Sequence, residues 1–305
     1  MYLGIDFIIE PRLKPYLIEV NIGLPGGAQE YDLTHQVYLG KSSDIFSRIE
    51  EISFKAYGKK FKDYLHSLPF IESLKPFKIW MDGHGPPPEQ FHPALRLEDK
   101  WVQYQLIKSI AQMPETIIFD PNNLSEADSF LKRKGKLVLK RRVGRGGRDF
   151  KIISDIESLI QLNIRNHFYM LQEYIESKVE GFVFSLRAVA FGGEFLCIYA
   201  NLSNRDYSNH GILTYVKKGE IFGISDLKFE TVFFNQKSWE AEIWFGENYP
   251  SYLKHNLFED EVLRGALILP EEIYQKIEET SVKVERLYES LDYSSLPKAC
   301  FEETI

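Results

Sequence analysis

An α+β fold follows from where the sequence changes its hydrophobic period. Apolar and polar residues alternate in short runs at 2–21 and again from 136 to 217, as half-buried strands require. The stretches 28–66, 98–113 and 270–291 carry helical patterns instead, strongest in the last. Runs of strands set apart from runs of helices are the mark of α+β layers.

Taken in order, residues 2–9 and 15–21 read as two strands joined by the polar turn 10–14, so a hairpin opens the chain. After the glycine-rich loop 23–27, an aromatic and charged stretch from Ala28 to His66 is expected to be mostly helical. Residues 77–81 read as a strand, and the following loop 82–88 must be irregular, because its three prolines cannot donate to a ladder. Trp101, Tyr104, Ile107 and Ile110 recur every three residues and predict an amphipathic helix over 98–113, opened by Asp99 and Lys100. A short helix over 125–134 with Ser125 as its N-cap follows. Residues 136–140 and 150–153 are expected as strands flanking a glycine loop, and a helix near 155–166 leads into a strand at 169–175. Further strands are suggested at 181–191, 194–201, 213–217 and 220–224. In the last helix, 270–291, Pro270 suits the first turn and Glu271 and Glu272 suit its positive end. Ile273, Ile277, Val284, Leu287, Tyr288 and Leu291 make one apolar stripe along it.

With 305 residues, 44% of them hydrophobic, the chain can build one large or two to three ordinary domains. A formal net charge of −7 gives no general attraction to nucleic acid or anionic membranes, so nucleic acid is disfavoured as a partner. Cys197 and Cys300 make no disulfide framework, which fits a reducing compartment, and Cys197 reads as a small buried hydrophobe. No stretch approaches the ~18 apolar residues of a membrane span, and no basic region followed by an apolar core opens the chain. A cytoplasmic protein without a membrane partner is expected. His35, His84 and His92 share no ligand spacing with a cysteine, which argues against zinc, and no Gly-x-Ser-x-Gly elbow supports a serine hydrolase.

Two constellations carry chemistry. Gly144, Gly146 and Gly147 let a loop turn tightly and aim its amides at phosphate oxygens, and Lys140 precedes them as a point charge. The loop lacks the Gly-Lys-Ser/Thr ending of a Walker motif. Asp6 lies twelve intervening residues before Glu19, and Asn21 follows Glu19 with one between, which in a hairpin places all three around one point. Oxygen donors of this kind suit Mg²⁺. The plain alternatives are a solvated basic hairpin for the first group and surface acids for the second.

Together these segments resemble the ATP-grasp family, with the order exchanged: in that family the glycine loop comes first and the metal carboxylates last. The chain therefore resembles a circularly permuted member, similar in topology to glutathione synthetase-like and glutathionylspermidine synthase-like relatives. The resemblance implies an α+β ATP-grasp fold in which two α+β lobes sandwich ATP, with a reduced or remodelled substrate domain. Its segments would be a metal-binding hairpin of the C-lobe at 1–29, a linker or substrate domain at 30–95, the N-lobe at 96–170 and the C-lobe at 171–305. It implies a second phosphate lysine at Lys100 and a strand opening at 113–116. It also implies an adenine-reading hinge at Gln172, Glu173, Tyr174 and Ile175, and a ribose carboxylate at Glu180. Arg187 would neutralise charge on the transferring phosphoryl group, and Arg205 would bind the acyl substrate. The function implied is an ATP- and Mg²⁺-dependent carboxylate–amine or carboxylate–thiol ligase, acting through an acyl phosphate on a carboxylate-bearing small molecule or peptide. A kinase on the same fold and a non-catalytic nucleotide- or RNA-binding protein are the alternatives. The few residues before Asp6 leave open a longer parent chain, or pairing of the first strands with a second copy in a homo-oligomer.

Overall fold

The computed structural model describes residues 1–23, 25–81, 91–144, 149–164, 168–179, 181–203, 212–219, 229–234 and 262–303, with backbone alone at 229–234 and 262–264. In chain order the elements begin with strands β1 (Leu3–Ile9) and β2 (Pro15–Asn21), then helices α1 (Ala28–Leu39), α2 (Ile45–Tyr57), α3 (Phe61–His66), α4 (Ile71–Met81) and α5 (Lys100–Ile107). There follow β3 (Thr116–Ile118), α6 (Leu124–Lys134), β4 (Leu137–Arg141), β5 (Lys151–Ile153), α7 (Ile156–Gln161) and β6 (Tyr169–Glu173). The remainder is β7 (Lys178–Val179), β8 (Phe182–Phe191), β9 (Glu194–Ser203), β10 (Ile212–Gly219), β11 (Phe229–Phe234), β12 (Val262–Pro270) and α8 (Glu271–Glu289). Among the described residues no helix is long and apolar enough to cross a membrane.

The chain divides into two compact units. Unit 1 comprises Met1–Lys75 and Glu176–Leu291, and unit 2 comprises Pro76–Ile175 and Asp292–Ile305. Within unit 1, α1 packs on β9, β10 and β12, and α2 packs on β9.

Unit 1 is built on a sheet in the order β11-β12-β10-β9-β8-β1-β2, with β7 paired to β8. Period-two burial fixes its faces: Leu3, Ile5, Phe7 and Ile9 are buried along β1 while Asp6 and Ile8 are half-buried. The same alternation buries Phe184, Leu186 and Ala188 of β8 and leaves Ser185 and Arg187 half-buried. The opening hairpin forms as expected, with a register shift between Asp6 and Phe7. Ile273, Ile277, Val284 and Tyr288 of α8 are buried as its stripe predicts, but Leu287 and Leu291 are only half-buried. Pro270 ends β12 and stands at the N-cap position of α8.

Unit 2 carries a smaller antiparallel sheet in the order β3-β6-β4-β5. Phe130 and Leu131 of α6 and Leu159 of α7 pack against Leu137, Leu139, Ile153 and Leu171, which defines the helix-covered face of that sheet.

Several local expectations are corrected. Residues 77–81 belong to helix α4 and not to a strand: Leu74, Phe77 and Met81 are buried at helical spacing while Ile79 is exposed. The helix expected over 98–113 is only Lys100–Ile107, preceded by a 3₁₀ turn at Pro93–Glu98. Its buried face is Val102, Gln103 and Ile107, and Ile110 lies exposed beyond its end, because a strict three-residue spacing drifts around a 3.6-residue helix. Asn123, not Ser125, occupies the N-cap of α6, and α7 is six residues long. The expected strand at 220–224 lies outside the described residues.

Candidate functional site

Strand β1 lies between β2 and β8, and this placement assembles a row of polar side chains in unit 1. Asp6 is the direct partner of Glu19 on one side and of Arg187 on the other. Arg187 in turn pairs with Tyr199, and Tyr199 with Tyr215. Direct cross-strand partners share a face, and Asn21, two residues after Glu19, shares it too. The hairpin predicted from 1–21 therefore brings Asp6, Glu19 and Asn21 together, and β8 adds Arg187.

Arg187 grips both oxygens of Asp6, through Nε to Oδ1 and through Nη2 to Oδ2, the second at 2.8 Å. Asn21 Nδ2 donates to Asp6 Oδ2 at 3.2 Å. The remaining Arg187 nitrogen, Nη1, donates to the carbonyl of Gly26 at 3.1 Å and so pins the loop between β2 and α1. From the helix side, Glu30 accepts the Gly27 amide at 2.6 Å. Gly27 has to be glycine at this approach, since a Cβ there would stand 2.4 Å from Val189 Cγ2. Burial pushes the Asp6 carboxyl above its usual range although Arg187 pulls it back. Burial likewise raises Glu30 and Tyr199, and it works against the Arg187 charge, which Asp6 more than restores. Glu30 and Tyr199 had no sequence signal: one looks like an ordinary first-turn acid and the other like a strand aromatic.

Among the described residues no cluster of three or more His, Cys, Asp or Glu side chains could hold a metal ion. The row offers two carboxylates and one amide. By type these donors suit Mg²⁺, which commonly takes one or two protein carboxylates and completes its shell with phosphate and water, and Asp6 would have to give up part of its hold on Arg187 and Asn21 to serve as one.

In unit 2, Lys140 and Gln172 share one face of the small sheet. Val138 is the partner of Gln172 and Lys140 the partner of Met170, whereas Leu137, Leu139 and Leu171 take the face covered by α6 and α7. Gln172 is buried and donates from Nε2 to Thr116 Oγ1 at 2.9 Å. Lys100, which by its position alone would be an exposed helix-end lysine, is buried, and its Nζ donates to the Gly144 carbonyl at 2.8 Å. Lys100 and the start of the glycine loop are thus together. Glu173 behaves differently. Its carboxylate pairs with Lys134 at 3.1 Å, its amide donates to the Glu115 carbonyl at 2.8 Å, and the Tyr174 amide donates to the Lys136 carbonyl at 3.2 Å. Those two hinge amides therefore close the sheet, and Ile175 is half-buried at the end of that segment.

An open cleft of 370 Å³ lies on the Glu173 side, lined among others by Tyr104, Lys108, Glu115 and Lys134. Among the described residues, Glu173 is the one predicted site residue that lines it. Gly146, Gly147, Glu180 and Arg205 lie outside the described residues. No protein-family model matches the chain, and no curated protein matches it.

Proposed function

We propose that this protein is an ATP- and Mg²⁺-dependent ligase that joins a carboxylate to an amine or a thiol through an acyl phosphate, on an ATP-grasp fold in circularly permuted order. The observation that carries this assignment is the row Glu19–Asp6–Arg187, in register across three strands with Asn21 on the same face. Asp6, Glu19 and Asn21 would hold Mg²⁺, which supplies Lewis-acid stabilisation to phosphate oxygens when bound. Arg187 would offset charge on the phosphoryl group as it passes to a carboxylate oxygen. Lys140, Lys100 and the glycines at 144, 146 and 147 would meet the phosphates. Gln172, the carbonyls of Glu173 and Tyr174 and the backbone of Ile175 would face the base, the Glu173 and Tyr174 amides being engaged in the sheet, and Glu180 would face the ribose and Arg205 the acyl substrate. A cytoplasmic location belongs to the same proposal.

The basic segment from Lys132 on which the RNA-binding alternative rests is partly paired within unit 2. Arg142 is buried on Asp99, Arg133 and Lys134 pair with Glu115, Lys132 pairs with Asp128, and Arg141 pairs with Asp149.

A screen for ADP release against panels of carboxylates, amines and thiols in Mg²⁺ is the direct test, with product analysis separating a ligase (amide or thioester) from a kinase (released acyl phosphate). Glu19→Gln in unit 1 is expected to abolish turnover at unchanged melting temperature. Lys140→Ala in unit 2 should weaken MgATP binding by ~1.5–3 kcal/mol, the usual contribution of a hydrogen bond to a charged group. Unchanged turnover in the first variant, or undiminished affinity in the second, would sink the corresponding half of the assignment.

A further inference from the structure

We infer that Arg142 is a positioning residue for the nucleotide-binding elements of unit 2: clamped by Asp99 and Glu303, it sets where Lys100 and the root of the glycine loop stand relative to one another. This rests on the nucleotide assignment above and adds residues to it that no motif marks.

Arg142 directly follows β4 and joins three segments through its backbone and side chain. Its amide donates to the Phe168 carbonyl at 2.7 Å, and its carbonyl accepts the Lys100 amide at 2.8 Å. Its guanidinium is fully buried and faces Asp99, with Nε 3.2 and 3.1 Å from the two carboxylate oxygens and Nη2 2.8 Å from Oδ2. Nη1 reaches Glu303 Oε2 at 2.9 Å. Asp99 is equally buried and is shared further. It caps α5 by accepting the Trp101 amide at 2.8 Å, and it accepts the Cys300 amide, also at 2.8 Å. Two residues beyond Arg142, the Gly144 carbonyl takes the Lys100 ammonium.

The start of α5, the root of the loop and the segment around 300–303 are therefore tied at one guanidinium. A buried ion pair is a poor device for stability alone, since apolar residues of similar volume commonly serve as well. A planar fork does fix direction, and here it fixes both the helix start that carries Lys100 and the strand end that launches the loop.

Glu303→Gln is the discriminating variant. It keeps the shape and leaves Asp99 to neutralise Arg142, so unit 2 should fold. Hydrogen exchange on the ligand-free protein should show the amides of Lys100 and Arg142 exchanging about 10-fold faster, with Leu139 and Leu171 unchanged, as local opening allows. Calorimetric titration with MgATP should show Kd raised about 10-fold at a melting temperature near that of the parent. Arg142→Lys, which retains charge but loses the fork, should show the same two changes. Parental exchange at Lys100 and Arg142 in Glu303→Gln would overturn the inference. So would acceleration spread evenly over the small sheet, or local acceleration with an unchanged Kd. A parent protein that binds no MgATP would defeat the nucleotide assignment instead, and the exchange measurement would still decide whether Arg142 fixes this geometry.

Discussion

Replacing Arg187 with methionine removes three hydrogen bonds at once, two to Asp6 and one to the Gly26 carbonyl. Asp6 is left with the Asn21 amide as its described side-chain donor. Stripping one partner from a buried ion pair typically costs ~3–5 kcal/mol, because the surviving charge is uncompensated. Arg187 and Asp6 keep 19% and 16% of their side-chain surface, so some water reaches the orphan and the lower end, about 3 kcal/mol, is expected. In a unit of this size 1 kcal/mol moves the midpoint by ~2–4 °C, so Arg187→Met should lower it by roughly 6–12 °C. Asp6→Asn should be costly for the complementary reason. The double variant leaves neither member of the pair orphaned and should lose only about 1–2 kcal/mol, mostly the Gly26 bond, packing and the nearby guanidinium that Glu30 also feels. Calorimetry on the four proteins then yields a coupling energy of at least ~2 kcal/mol. Single effects that add to the double effect within ~0.5 kcal/mol would refute the pairing as the source of the loss.

Two further outcomes test the environment of that row. Glu30 is held above its ordinary value by burial, so the stability it contributes is present below the unfolded carboxylate pKa and is lost as pH rises through the folded value. The melting temperature of Glu30→Gln relative to the parent should therefore increase between pH 4 and pH 8, and a pH-independent difference would contradict the burial argument. Gly27→Ala drives a methyl into Val189 and should cost ~1–3 kcal/mol in urea denaturation, with Val189→Ala restoring most of it. Failure of that rescue would place the strain elsewhere.

The parts of the molecule legible in the sequence are those whose partners are close along the chain or whose pattern is forced by a buried face. Asp6, Glu19 and Asn21 could be set on one face because a hairpin fixes its own register, and Phe182–Phe191 was visible because one side of it is core. Helix α4 was not, since five residues at its end fit two periods equally and only the burial of Leu74, Phe77 and Met81 decides between them. Strand β12 escaped for a related reason: apart from Arg264 and Gly265 the run 262–270 is apolar without alternation, and its pairing with β10 is parallel and distant. The ionic clusters were the least legible. Arg142 reads as one more basic residue of a loop, yet its partners are 43 and 161 positions away, and nothing in the identity of Glu303 announces such a contact.

The acidic row also poses a question of economy. Asp6 sits on a strand flanked on both sides, where an alternating pattern would accept a valine or threonine without penalty, and the sheet has to supply Arg187 to make a carboxylate tolerable there. Glu19 stands next to the same carboxylate as its direct partner, and two acids placed side by side repel unless a cation lies between or beside them. Removing both charges of the Asp6–Arg187 pair together costs less than removing either alone, as the modest loss expected of the double variant reflects. Two carboxylates held side by side on a half-buried face, with one guanidinium shared between Asp6 and a loop carbonyl, are charges that the proposed chemistry would use. The Asp6→Asn, Arg187→Met protein separates the two roles: a midpoint lowered by only about 2–8 °C with no Mg²⁺-dependent turnover assigns the row to chemistry, and retained turnover returns it to structure.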